Sequence, residues 1–294
     1  MFSLRSKPQV SGEGGLFEIS DHEFGLFRDL IYRETGITLK EVKRSLVVSR
    51  LGKRLRALGL SSFGEYYSVI KLGDASGDEL RRMINCITTN KTSFFREAQH
   101  FDFLKERLVE MARCEMTGSL RIWSCACSSG EEPYTLSITA SQALAARPGW
   151  DVRILATDID TDILAKAKAG IYEAESIDTL DRALVRRYFL RGKGHSEGLV
   201  MVKPEVRKMV VFERLNLIED SWPIRDRFDV IFCRNVIIYF DRETQKRLFE
   251  RLVRHLKPDG LLFVGHSESL YWMSDVLEPV QHTIYRIRGH GGHR

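Results

Sequence analysis

Four short stretches of this 294-residue sequence gather side chains able to do chemistry. Ser124-Cys125-Ala126-Cys127-Ser128-Ser129-Gly130-Glu131-Glu132-Pro133 is a turn of small residues entering a helix. Its single glycine is too few for a dinucleotide-binding loop, and no P-loop is present, so phosphate cradling has little support. Thr157-Asp158-Ile159-Asp160 places an acid at a strand tip, where a carboxylate can accept both hydroxyls of a ribose. We assign that role to Asp158, because Asp160 stands where a helix N-cap belongs. Cys233-Arg234-Asn235-Val236-Ile237-Ile238-Tyr239-Phe240 leaves an arginine, an asparagine and a tyrosine beyond another strand. Thr89-Asn90-Lys91-Thr92-Ser93-Phe94-Phe95-Arg96-Glu97 precedes the first strand, and polar linkers of this kind commonly cover a ligand pocket.

The surrounding elements must hold these stretches together. Strands are predicted at 120–125, 152–157, 210–214, 228–233, 261–265 and 283–287, with helices at 131–146, 160–169 and 241–256. Strands alternating with helices imply parallel βαβ units and a doubly wound sheet, whose ligand lies beyond the carboxyl ends of the strands. Residues 174–214 interrupt the rhythm with a helix at 181–188, a glycine-rich loop and a strand at 199–203. The excursion is a candidate docking surface.

Before this domain the pattern is helical. Ser20 with Glu23, Ser62 with Glu65, and Ser76 with Glu79 read as capping boxes. Between the first two, Val48, Leu51, Leu55 and Leu58 form the apolar stripe of a basic helix stopped near Gly59. Residues 40–60 carry seven Lys/Arg against Glu41, a charge of +6 in a chain whose net charge is +5. Lys43, Arg50, Lys53 and Arg54 are expected on the solvent face, either as a merely solvated surface or as a docking site for an acidic protein. Nucleic acid fits less well, since no RRM, KH or zinc-finger signature and no interleaved aromatics accompany the charge. The domains are expected at 1–15 (flexible tail), 16–88 (helical), 89–100 (linker) and 101–294 (α/β), with the insertion at about 174–214.

Composition narrows the classes. The longest apolar runs fall far short of a spanning helix, and the N-terminus lacks a signal-peptide core, so a cytosolic chain is expected. Five cysteines without CxxC or zinc spacing indicate neither a disulfide framework nor a metal site. His266, Ser267 and Glu268 lack the nucleophile elbow of a hydrolase.

Together, the segments TNKTSFFRE (89–97), GEEPY (130–134), ATDID (156–160), FCRNVIIYFD (232–241) and LKPDGLLFVGHSES (256–269) resemble the CheR family of chemotaxis receptor methyltransferases. The resemblance spans almost the whole α/β domain in order. It implies a class I S-adenosylmethionine-dependent methyltransferase fold, Rossmann-like, with an all-α N-terminal domain and a small antiparallel β-subdomain formed by the insertion. It also implies S-adenosyl-L-methionine as methyl donor, S-adenosyl-L-homocysteine as product, and a pocket lined by Asn90, Thr92, Arg96, Glu132, Asp158, Asn216, Leu217, Arg234 and Asn235. The residues alone leave Glu131 and Glu132 equivalent; the resemblance favours Glu132. Arg96 and Tyr239 are implied nearest the transferred methyl, although each also has a structural reading: an interdomain ion pair for Arg96, packing for Tyr239.

The implied reaction is O-methylation of glutamate side chains on the cytoplasmic helices of methyl-accepting chemotaxis receptors, giving glutamyl methyl esters for sensory adaptation. The basic helix is then expected to steer the acidic receptor helix, and RGKGHSEGLV (191–200) resembles the loop of members that bind a C-terminal receptor pentapeptide. A monomer recruited from the cytoplasm to receptor arrays is expected. The alternatives are a non-catalytic S-adenosylmethionine or S-adenosylhomocysteine sensor and a nucleic-acid methyltransferase. The first is opposed by intact Arg96 and Tyr239, the second by Arg234-Asn235-Val236 where amino-group enzymes place a Pro-Pro-aromatic loop.

Overall fold

The computed structural model describes residues 17–289, so the expected tail at 1–15 lies outside the described residues. The N-terminal part is helical: α1 (Asp21–Thr35), α2 (Arg44–Leu58), α3 (Phe63–Ser68) and α4 (Asp78–Ile87). α1 opens on the full capping box, with Ser20 Oγ accepting from the Glu23 amide and the Glu23 carboxylate accepting from the Ser20 amide. The Ser62 box is half formed, because the Glu65 carboxylate turns to Ser61 instead. The Ser76 box does not form. Gly77 occupies the N-cap of α4, and the Glu79 carboxylate takes both Arg54 (2.7 and 2.8 Å) and the Tyr66 hydroxyl (2.9 Å). A buried carboxylate needs a cation more than a helix start needs a second acceptor.

The same ion pair corrects the reading of α2. Its buried stripe is Val47, Leu51, Gly52 and Leu55, while Leu58 is 39% exposed. Arg54 and Arg50 are therefore half-buried rather than presented to solvent: Arg54 holds Glu79, and Arg50 donates to the carbonyls of Ile87 and Thr88. Lys43 and Lys53 remain exposed.

The α/β part adds α5 (Gln99–Cys114), which the sequence reading does not anticipate, then β1 (Gly118–Cys125), α6 (Glu131–Ala143), β2 (Trp150–Asp158) and α7 (Thr161–Ala169). The insertion holds β3 (Ile171–Glu173), α8 (Arg182–Tyr188), β4 (Phe189–Arg191), β5 (Leu199–Val202) and α9 (Pro204–Arg207). β6 (Val210–Arg214), β7 (Phe228–Cys233), α10 (Arg242–His255), β8 (Leu256–Phe263), β9 (Leu277–Gln281) and β10 (Ile284–Ile287) complete the chain. The large sheet has the order β6-β2-β1-β7-β8-β10-β9, parallel except for the pairings of β10. β3, β5 and β4 form a separate antiparallel sheet. The expected insertion bounds of 174–214 are therefore shifted: the small sheet begins at Ile171, and β6 belongs to the large one.

Alternation places the strands between two packed layers. Leu120 and Ile122 of β1 join Phe101, Leu104, Leu136 and Phe232 on the α5/α6 side, while Trp123 and Cys125 face Phe249 and Leu252 of α10. Chain order reverses between β1 and β7, so the topological switch point, with its crevice beyond the carboxyl ends, lies there. The helical domain seats tightly above it. Gly36 closes α1 at φ 71°, and a Cβ there would stand 2.7 Å from Ile218 Cγ2. Ile37 forms a bridge with Phe240, and the Thr38 amide donates to the Tyr239 carbonyl (2.9 Å).

Candidate active site

A single crevice at the switch point, roofed by the helical domain and the 88–96 linker, is lined by every pocket residue named from the sequence: Asn90, Thr92, Arg96, Glu132, Asp158, Asn216, Leu217, Arg234 and Asn235, with Tyr239 and Lys43. Arg50, Lys53 and Arg54 are not part of its wall.

The floor is the turn after β1. Ala126 (φ 55°) and Ser128 (φ 52°) adopt left-handed backbone, bringing the Ser128 amide to Asp158 Oδ2 at 2.8 Å. Gly130 starts α6 at φ 95°, where a Cβ would meet Ala167 Cβ at 2.9 Å; one glycine is what this turn requires. Asp158 Oδ1 accepts the Asp160 amide at 3.0 Å, leaving each carboxylate oxygen a further lone pair. Burial pushes the Asp158 carboxyl up to about 6 despite these amide bonds. Asp160 caps α7, as expected, but its other oxygen also accepts from Thr88 Oγ1 and Asn90 Nδ2, both at 2.7 Å. The cap thus ties the linker to the strand tip.

Arg234 is the keystone of the far wall. Its buried guanidinium donates to Glu132 Oε2 (3.0 Å), to Glu97 Oε2 (2.9 Å) and to the Arg96 carbonyl (2.6 Å), and packs against Phe101 and Phe232. The sequence placed Arg234 where a reacting group would lie, whereas its two terminal nitrogens hold the wall and only its Nε is without a partner. Glu132 also accepts from Ser124 Oγ (2.7 Å), and burial raises its carboxyl above the usual range against the pull of Arg234. Glu131, by contrast, is bonded to Ser129 and lies outside the crevice wall, which separates the two acids the sequence left equivalent.

Two further carboxylates are missed by sequence reasoning. Glu97 accepts from Arg234 and, through Oε1, from Asn235 Nδ2 (3.2 Å). Burial works to raise its carboxyl, but Arg234 outweighs it and holds the group below the ordinary value. Glu268, also buried, accepts the amides of Asn235, Ile237 and Gly265 (2.7–3.0 Å), fixing the turn after β7 in which Asn235 takes φ 57°. Gly265 leaves room for this: a Cβ there would lie 2.4 Å from Asn235 Nδ2. Nothing in the spacing of Glu97 or Glu268 announces such roles, although both fall inside the segments that carry the family resemblance.

Arg96 and Tyr239 differ from these structural groups. Arg96 makes no ion pair among the described residues; its Nη1 donates to the Lys91 carbonyl (2.8 Å), and the residue lines the crevice. The Tyr239 hydroxyl has no hydrogen-bond partner among the described residues, while its backbone is held by Thr38 and Val236. The interdomain ion pair entertained for Arg96 is absent there. Both side chains are half-buried and line the crevice.

Comparison with known proteins agrees with this geometry. Residues 22–88 match the family described as "CheR methyltransferase, all-alpha domain" and residues 90–286 that described as "CheR methyltransferase, SAM binding domain". The chain is 48% identical over 252 residues to a chemotaxis protein methyltransferase of Salmonella typhimurium, covering 85% of each chain. It is 46% identical over 270 residues to that of Escherichia coli, covering 92% of each, and 44% identical over 271 residues to chemotaxis protein methyltransferase 2 of Pseudomonas aeruginosa, covering 92% of this chain and 94% of that one. With both of its domains matched from residue 22 to residue 286, the chain belongs to the CheR family of S-adenosylmethionine-dependent chemotaxis protein methyltransferases.

Proposed function

We propose that this enzyme methylates glutamate side chains on the cytoplasmic helices of chemotaxis receptors, with Arg96 and Tyr239 at the reacting carboxylate. The observation that carries the reading is that these two side chains line the crevice that holds Asp158 and Glu132, and that neither has a side-chain partner among the described residues. The residues present fit S-adenosylmethionine: Asp158 offers two open lone pairs at the ribose position, and the buried Ser128 Oγ beside it has no partner. When bound, the cofactor supplies an electrophilic methyl group.

The remaining chemistry belongs to the protein. A glutamate carboxylate, with an ordinary pKa of about 4.3, is already ionised at neutral pH and needs no general base. Accordingly, none is assigned to Glu132 or Glu97, whose lone pairs serve Arg234. Transfer from a cation to an anion neutralises charge, so water stabilises the reactants more than the transition state. Excluding water and fixing the line of attack supply the rate. Arg96 can hold the incoming carboxylate through its fork, and Tyr239 through one neutral hydrogen bond.

The test is transfer of labelled methyl from S-adenosylmethionine to receptor cytoplasmic fragments, followed by alkali. A glutamyl ester releases methanol in base. Base-stable label would refute the assignment, and binding of S-adenosylhomocysteine with no incorporation across a receptor panel would indicate a sensor instead.

The Asp158 carboxyl adds a pH dependence. Its ionised form accepts both ribose hydroxyls, so cofactor affinity should weaken as pH falls through about 6. The ligand-free fold moves the other way, because an acid whose folded pKa is raised becomes less destabilising as it protonates. Calorimetric binding of S-adenosylhomocysteine between pH 5 and pH 8, repeated on Asp158→Asn, checks this; the variant should bind weakly and lose the pH slope.

Docking is proposed in two places. Lys43, which lines the crevice, and Lys53 remain exposed to steer an acidic helix, whereas Arg50 and Arg54 are withdrawn from that role. β3 and β4 are edge strands of the small sheet, which supports β-augmentation by the receptor's C-terminal pentapeptide. Charge reversal of Lys43 and Lys53 should raise the receptor KM several-fold at low salt, with little effect near roughly 1 M salt, where screening acts within about 3 Å. Deleting the receptor tail should raise KM at either salt. No helix of the described residues is long and apolar enough to cross a membrane, and we propose that the chain acts as a cytoplasmic monomer recruited to receptor arrays.

A further inference from the structure

Behind the Arg234 wall, Glu97, His100 and His266 place three ligand atoms within 4.8 Å of one another. Glu97 lies two residues before α5, His100 is in its first turn, and His266 follows β8, so the group is assembled by the fold. The Thr283 hydroxyl lies 2.8 Å from the His282 carbonyl, to which it can donate, and 2.9 Å from His100 Nε2. We assign the proton of the neutral ring to Nε2, which donates to Thr283 and leaves a lone pair on Nδ1. Nδ1 is buried, has no hydrogen-bond partner, and faces Glu97 Oε2 at 3.6 Å. With this tautomer a buried, unpartnered nitrogen confronts a carboxylate oxygen, an arrangement that a cation between the two would satisfy.

We propose that Glu97 Oε2, His100 Nδ1 and His266 Nε2 form a binding site for a borderline divalent cation of the zinc class. Ligand atoms bound at about 2.0–2.2 Å in a tetrahedron stand about 3.3–3.6 Å apart. The observed separations from Glu97 Oε2, 3.6 Å to His100 and 4.0 Å to His266, need only small side-chain shifts to reach it. The bond from His100 Nε2 to Thr283 is the outer-shell contact that fixes the tautomer of a metal-bound imidazole. His266 is exposed, which gives an entry path and leaves the fourth position to solvent.

The site shares an atom with the crevice. Glu97 Oε2 also accepts from Arg234 (2.9 Å) and from the His266 amide (3.1 Å), and a metal there would displace the Arg234 contact, leaving Arg234 with Glu132 and the Arg96 carbonyl. Metal and cofactor should therefore weaken each other by the same factor. This coupling rests on the cofactor reading of the crevice; metal binding by itself does not.

The experiment is equilibrium dialysis of the full chain against Zn2+, with His290 and His293 changed to alanine so that the C-terminal segment adds no ligands. About one Zn2+ per chain is expected, with affinity reduced roughly tenfold or more in His266→Ala. His266→Cys should restore binding and, with Co2+, produce a thiolate charge-transfer band that the parent lacks. Equal affinity in the parent and His266→Ala, or a thiolate band in the parent, would overturn the site. Affinity for S-adenosylhomocysteine should fall with Zn2+ in the parent and not in His266→Ala. Zinc bound through His266 with no such fall would keep the site and overturn its link to the crevice.

Discussion

Replacing Arg96 with alanine should lower methyl transfer to receptor fragments by about 10²–10³, the usual cost of removing one preorganised group that orients or stabilises reacting charge, while leaving the fold intact. The reason lies in how little else the side chain does. Its one hydrogen bond runs to the nearby Lys91 carbonyl, and it pairs with no acid among the described residues. Its backbone carbonyl, which Arg234 does need, survives the substitution. Single-turnover kinetics beside thermal unfolding decide the matter. A large drop in rate with an unchanged unfolding midpoint supports a role at the substrate, and Arg96→Lys should recover only part of the rate because a point charge cannot make a bidentate grip. Parent-like turnover in Arg96→Ala would sink the assignment.

Arg234→Met should show the opposite separation, losing stability first. The side chain is 2% exposed and stands between Glu97 and Glu132, themselves 13% and 14% exposed. Removing it leaves two largely buried carboxylates without their cation, a loss of about 3–5 kcal/mol where such a pair is fully buried. The pH dependence identifies the cause. Arg234 holds Glu97 below its ordinary value, so in the parent that pairing stabilises the fold above about pH 4.5 and is lost as pH falls. In the variant the two acids are raised, and the fold recovers as they protonate. The deficit measured by denaturant unfolding should therefore shrink from pH 8 to pH 5, and Arg234→Met combined with Glu132→Gln should be more stable than Arg234→Met alone at pH 8. A deficit independent of pH would point to lost packing against Phe101 and Phe232 instead.

The sequence made the parallel strands readable for a physical reason. β6 and β7 run between the bounds read from it, since buried strands in a doubly wound sheet are short apolar runs. β9 escapes that reading because Leu277-Glu278-Pro279-Val280-Gln281 carries a proline and little alternation, which only a sheet edge tolerates. The crevice residues were legible as far as they sat at strand tips. What was not legible was which charges look inward. Arg50 and Arg54 share α2 with exposed Lys53, just after exposed Lys43, and only tertiary contacts with Glu79 and the end of α4 withdraw them. Glu97 and Glu268 follow the same rule, because a buried carboxylate is defined by the partners that meet it rather than by its neighbours in sequence.

The seam at Gly36–Thr38 sets a limit on modularity. Ile37 bridges to Phe240, Thr38 holds the Tyr239 backbone, and Asn216 donates to the Glu34 carbonyl, so the N-terminal domain supplies part of the mould that shapes the crevice mouth. The visible boundary near residue 89 is therefore a poor crossover point for recombining relatives. A graft that exchanges the helical domain must carry 34–38, 216–218 and 236–241 as one inherited block, or the tyrosine will be cast in a mould made for another loop.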